Sequence, residues 1–329
     1  MIQVSDEKEI DHAGFEEFQA SRSAAYPVWL RQRSQESWNL FERQGFPSTR
    51  EEEWQFTNLA PMVKIPFRSA PAAEASLTGE QLEEMTFGNW SGTRLVFVNG
   101  HFSQRLSLRG KLPSRAVVAP LSESWEKHES LLEKHLGRLA DPAGHPFAAL
   151  NTAFLSEGSL LYLPKGVVLE EPIHLVFVGS ADSIPLLSHP RILILAEDSA
   201  QARIVETYLG AGSGVYFTNS VTELIAGDNA ILEHYKLQME NLNAFHLANL
   251  QVRLGRDSNV TLHSISLGGA LVRNDLNVVL DGEGGEATLN GFYFAGGNQL
   301  VDNHTRIRHR FLQWINRVRW ILLTDGQYN

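Results

Sequence analysis

The sequence predicts a mainly β chain, a β-solenoid preceded by an N-terminal helical region. All thirteen prolines lie at or before Pro190, so two architectures share the chain. From Leu160 onward come short runs rich in Val, Ile, Leu, Tyr, Phe and Thr, punctuated by Gly, Asn and Asp. No convincing helix interrupts that series, which excludes a doubly wound sheet and leaves a sandwich, a barrel or a solenoid. Many runs mix long polar residues with aliphatics, as in "AILEHYKLQ" and "LVRNDLNVVL". That mixture favours rungs ~4.8 Å apart, one face filling a narrow core and the other meeting solvent or a neighbouring surface. No strict repeat length is readable.

In chain order, "PVWLRQRSQESWNLFERQG" reads as a helix. Pro27 stands near the first turn, Gly45 is the stop, and Trp29, Leu30, Trp38 and Phe41 are available for one face. "LTGEQLEEM" and "SESWEKHESLLEKHLGRLAD" repeat the pattern, the second with Trp125, Leu131, Leu132, Leu136 and Leu139 at helical spacing. "HPFAALNTAFL" reads as a further short helix. The strands expected next are "LLYLP", "IHLVFV", "RILILAE", "ARIVETYL", "VYFTNSVTELI", "AILEHYKLQ", "FHLANLQVRL", "NVTLHSISL", "LVRNDLNVVL", "EATLNGFYF" and "LVDNHTRIRH". The expected organisation is a helical domain over 1–157, a solenoid core over 158–309 and a divergent tail over 310–329.

Composition narrows the function. With 43% hydrophobic and 20% charged residues the chain is an ordinary globular protein, and 329 residues suffice for about two domains at ~150 residues each. A net charge of -10 argues against nucleic acid as a partner, because phosphate affinity rests on clustered Lys and Arg. There are no cysteines, hence no disulfide and no thiolate ligand from this chain. The acidic start "MIQVSDEKEIDHAG" has no secretory pattern, and no run approaches 18 apolar residues, so a cytoplasmic location without a membrane span is expected.

Four ordered stretches carry a resemblance: "PSTREEEWQFTNLAP", "LNTAFLSEGSLLYLPKGVVLEEPIHL", "NSVTELIAGDNAILEHYKLQMEN" and "LVRNDLNVVLDGEGGEATLNGFYFAGGNQLVDNHTRIRH". Together they resemble the SufB/SufD family of iron–sulfur cluster assembly proteins, and "LYLPKGVVLEEPIHL" is more similar to its SufD branch. The resemblance implies a right-handed parallel β-helix behind a helical domain. It also implies a scaffold subunit, not an enzyme, that pairs with SufB and contacts the ATPase SufC. The nascent cluster would be handled transiently by the complex, with no cofactor bound by this chain alone. No G-x-x-x-x-G-K-[ST] loop is present, so ATP hydrolysis would come from SufC. After His309 the family's further rungs, its late histidine motif and its SufC-binding helices find no match. "RFLQWINRVRWILLTDGQYN" therefore reads as a truncation or an out-of-frame tail, which puts partner binding in doubt. The family's cluster-related positions lie mainly in that unmatched part, so no catalytic, cofactor-binding or metal residue is assigned.

The remaining candidates are weighed against ordinary roles. His304 and His309, five apart on a strand, face opposite ways and lack a third ligand. His234, His246 and His263 sit in successive strands and would form a metal ladder only if they aligned vertically. Asp275, Asp281, Glu283 and Glu286 supply the carboxylates that a carbohydrate-active β-helix enzyme needs, yet "DGEGGE" reads more simply as a solvated turn. Phe311, Leu312, Ile315, Val318 and Leu322, against the arginines, allow a membrane-surface helix, though a coincidental or disordered tail is favoured. Arg50 to Glu53 before Trp54 form either a solvated first turn or a partner-docking edge.

Overall fold

The computed structural model describes residues 10, 12–22, 26–70, 77–310 and 315–324. Helices come first: α1 (His12–Arg22), α2 (Val28–Gln44), the 3-10 turn Glu52–Trp54, α3 (Ala60–Val63) and α4 (Gly79–Met85), then α5 (Glu129–His135) and α6 (Pro146–Ala153). Pro27 caps α2, Gly45 closes it with φ +67°, and Leu30, Trp38 and Phe41 are its buried stripe, as the spacing predicts. The helix expected across residues 122–141 forms only at Glu129–His135. Gly137 turns left-handed at φ +73°, and the backbone N–H groups of Gly137, Leu139 and Ala140 all donate to Glu223, which outcompetes another helical turn.

Short strands also lie within the N-terminal part: β1 (Arg68–Ser69), β2 (Arg94–Val98), β3 (His101–Phe102) and β4 (Val117–Pro120). The coil follows with β5 (Gly158–Leu163), β6 (Ile173–Gly179), β7 (Leu186–Ser188), β8 (Arg191–Ala196), β9 (Gln201–Gly210) and β10 (Tyr216–Ala226). It continues with β11 (Ile231–Met239), β12 (Phe245–Leu254), β13 (Asn259–Ser266), β14 (Leu271–Leu280), β15 (Glu286–Ala295), β16 (Leu300–His309) and β17 (Ile315–Thr324). All eleven expected strands are present, whereas β7, β17 and the four short strands β1 to β4 were not anticipated.

Even-numbered strands from β8 to β16 pair in parallel as one sheet that β5 and β4 extend. Odd-numbered strands from β9 to β17 form a second sheet, extended by β6, β2 and β3. The result is a β-solenoid of about six turns with 41% strand and 21% helix, so the chain is mainly β. From β5 onward, register steps between parallel neighbours range from 33 residues (Gly158 to Arg191) down to 26 (Phe245 to Leu271), which is why no period is legible. Ile192, Ile194, Leu224, Val252 and Val278 meet Ile204, Leu232, Val260 and Leu289 between the sheets. The helical region covers the outer face of the even-numbered sheet, where Phe15, Trp38, Phe67, Phe147 and Phe154 pack on Phe217, Phe245 and Leu271.

The segment expected to lie outside the solenoid belongs to it. Residues 315–324 pair with β15 from Glu286↔Ile315 to Ala295↔Thr324. Arg317 and Arg319 alternate with Val318 and Trp320, a period of two that suits a strand and not a membrane-surface helix. Trp320 fills the space over Gly291, where an added Cβ would stand 1.9 Å from its ring. Phe311 and Leu312 lie outside the described residues, as does most of the acidic start.

One buried pair ties the helices to the coil, and one glycine sets the approach of two coil strands. Arg191 and Glu223, neither of them accessible, pair at 2.7 Å, and Arg191 also donates to Asn151 and Thr152 of α6. Gly158 opens β5 where a Cβ would collide with the carbonyl of Arg191. Glu223→Ala strands a buried guanidinium and three amides, so a loss of about 3–5 kcal/mol is expected in urea titrations. Repairing the charge with Arg191→Met in the same chain should recover part of it. Gly158→Ala is expected to cost about 3 kcal/mol or more in the same assay, since backbone is what the new methyl meets.

Candidate functional site

Strand alternation places every second residue inside the coil, and in one zone those residues are polar. On β11 the buried set is Leu232, His234, Lys236 and Gln238, while Ile231, Glu233, Tyr235 and Leu237 face outward. Lys236 lies in register with Glu206 on β9, and Gln238 with Tyr208. From the opposite sheet Thr218, Thr222, His246 and Asn274 point into the same space, and all of these side chains are buried.

Each carboxylate there is saturated. Glu206 accepts from His234 Nε2 at 2.8 Å, Thr222 Oγ1 at 3.0 Å and Tyr208 OH at 3.1 Å. Glu240 accepts from Thr218 Oγ1 at 2.9 Å and Gln238 Nε2 at 3.0 Å. His246 Nδ1 lies 2.8 Å from Glu240 Oε2, outside hydrogen-bonding alignment. Lys236 Nζ donates to Asn274 and stands 5.5 Å over the Tyr208 ring. Burial alone would raise both carboxyls, but His234 with Thr222 and Lys236 holds Glu206 below its ordinary value. His246 with Gln238 and Thr218 does the same for Glu240. Desolvation lowers the Lys236 ammonium to about 8 despite Glu206, Glu240 and Asp275. Burial and Lys236 lower His246, and burial with Glu206 pushes Tyr208 well up. Chemically this is a store of compensated charge whose proton affinities differ from those in water.

A second cluster joins the helical region to the later rungs. Arg273 is gripped by both oxygens of Asp275 at 2.9 and 3.1 Å and by Asp302 at 2.7 Å, with Trp54 stacked 3.7 Å from its guanidinium carbon. Thr57 bonds both Arg273 and Asp302, and His145 Nε2 donates to Asp275 at 3.0 Å. His145 with Arg273 outweighs burial and lowers the Asp275 carboxyl. Trp54 of the "REEEW" stretch is therefore buried under the solenoid, while the exposed Glu53 pairs with Arg306.

The candidates from the sequence separate as follows. His234 is paired with Leu262 in register, and His263 instead faces outward and stacks on Tyr235 at 4.4 Å, so the three histidines form no ladder. His304 and His309 lie on opposite faces of β16, His304 beside Asp302 at 3.4 Å. Among the described residues no group of three or more His, Asp or Glu is placed to hold a metal ion. Asp281 pairs with Arg310, Glu286 with Asn259, and Gly284 turns at φ +71°, so "DGEGGE" is the expected turn, away from Asp275. No described helix is long and apolar enough to cross a membrane. Glu206, Lys236 and Glu240 went unnoticed in the sequence, where the available signal was charge at the same parity as aliphatics in one strand.

Comparison with known proteins follows the same layout. A family model described as the SufBD protein N-terminal region matches residues 12–175. A second, described as the SUF system FeS cluster assembly SufBD core domain, matches residues 177–312. An iron–sulfur cluster assembly SufBD family protein of Synechocystis is 30% identical over 269 residues, covering 79% of this chain and 59% of its own. The chloroplastic protein ABCI7 of Arabidopsis thaliana is 26% identical, with 80% and 55% covered. A SufBD family protein of Staphylococcus aureus is 29% identical, with 62% and 44% covered. The chain thus spans about half the length of these relatives. Two adjoining regions of one family, running across the helices and the coil they are bolted to, make this chain a member of the SufB/SufD family of iron–sulfur cluster assembly proteins.

Proposed function

We propose that the chain is a non-catalytic scaffold subunit of the SufD type, working in the cytoplasm with SufB- and SufC-type partners to build and pass on iron–sulfur clusters. The observation that carries this reading is the match of both family regions, one after the other, to the two parts that the structure packs together. The physical features agree with a platform. Parallel rungs, a close-packed apolar interior and two buried arginine clusters give a stiff body that presents surfaces without needing to move. The chain has no cysteine, so thiolates for a cluster would come from partners, and the cluster is cargo rather than a resident group. ATP hydrolysis belongs to the SufC-type partner in this reading.

The test is co-expression of the tagged chain with SufB- and SufC-type proteins from its own host, followed by affinity capture and size-exclusion chromatography. Co-elution of the SufB-type protein in fixed stoichiometry is expected. Elution of the folded chain free of both partners would reject the scaffold role.

A further inference from the structure

The helical region leaves part of the even-numbered sheet uncovered, and a cleft of about 330 Å³ opens there. Its floor is the outer face of β12, β14 and β16. Gln251, Asn277 and Arg306 form one register row, and Val279 and Arg308 lie in the next. The loop carrying Leu139, Asp141 and His145 makes one wall, and Glu53 stands beside Arg306. The size is at the lower end of small-molecule sites, which suits a metabolite better than a protein segment.

Arg306 and Arg308 are two residues apart on one strand, so both point from the same face, about 6.6 Å apart along the chain. Arg308 makes no hydrogen bond or ion pair among the described residues, and Asn277 makes no hydrogen bond there either. Arg306 is held only by Glu53, in a pair with both side chains about half exposed (50% and 54%), which is weak and exchangeable. Two guanidinium forks beside a carboxamide fit a planar carboxylate. The carboxylates of the cleft differ in availability. Asp275 is engaged by Arg273 and His145 and Glu53 by Arg306, whereas Asp141 uses one oxygen on the Ala143 amide. Its other oxygen can receive an ammonium. Leu139 and Val279 add apolar lining.

We propose that this cleft binds a free α-amino acid, its carboxylate on Arg306 and Arg308 and its ammonium toward Asp141. The site lies outside the coil interior and does not depend on the scaffold reading.

The full chain would be screened by thermal shift against the twenty proteinogenic L-amino acids at millimolar concentration, and the strongest would be titrated by calorimetry. Its deaminated acid and its decarboxylated amine serve as comparison probes. Expected is saturable binding of the amino acid and binding about tenfold weaker or worse for both probes, as for loss of one charged contact. Arg308→Ala and Asp141→Asn should each weaken it by a similar factor. Arg310→Ala, on the same strand's end but outside the cleft, should leave it unchanged. The proposal is overturned if no amino acid binds, if either probe binds as tightly as the parent, or if both cleft variants bind normally. Circular dichroism identical to the parent chain is required of each variant, and Asn277→Ala replaces any that fails it, with the same weakening expected.

Discussion

A parallel coil is only as wide as two facing side chains, so each inward position must be satisfied by its neighbours above, below and across. Water cannot fill a mismatch without a partner for each of its bonds. In most rungs the requirement is met by Ile, Leu and Val. Between β9 and β14 it is met by charge, with Glu206, Lys236 and Glu240 compensated by two histidines, two threonines, a glutamine and an asparagine. Such a set contributes little net stability over an apolar core of similar volume, but removing one member leaves another stranded. It therefore fixes which residue of one rung faces which residue of the next.

The same constraint organises the outside. The even-numbered sheet has one face on the core and would leave the other bare, so the N-terminal helices cover it with aromatic side chains. Arg191 with Glu223, and Arg273 with Asp275 and Asp302, place paired charge at the seam. Glu223 shows how a distant strand dictates local structure. By taking the amides of residues 137, 139 and 140 it ends a helix that the Leu131, Leu132, Leu136 and Leu139 spacing would extend.

Strand existence was legible because alternation and Gly, Asn or Asp turns are local signals, while α2 carries its own Pro and Gly punctuation and α6 its first-turn Pro146. The face each strand buries was not legible on β11. Aliphatics and polar residues share both parities there, and the polar set is the one inside. The rung length was hidden because the turns vary. The strand at Ile315–Thr324 was obscured by a basic composition that suggested a tail, although Arg317 to Trp320 alternate in polarity. For the site, histidines drew the eye, while the carboxylates that give His234 and His246 their roles lie on other strands, at separations no motif encodes.

The uneven spacing of the rungs has an evolutionary consequence. Because pairing between strands is preserved while the corners range over several residues, insertions and deletions can accumulate at the corners without disturbing the stack. Relatives can then diverge in outline, and in whatever they touch, while their cross-section stays the same. Fixed-period searches will overlook such coils, whereas the inherited order of inward-facing side chains will still identify them.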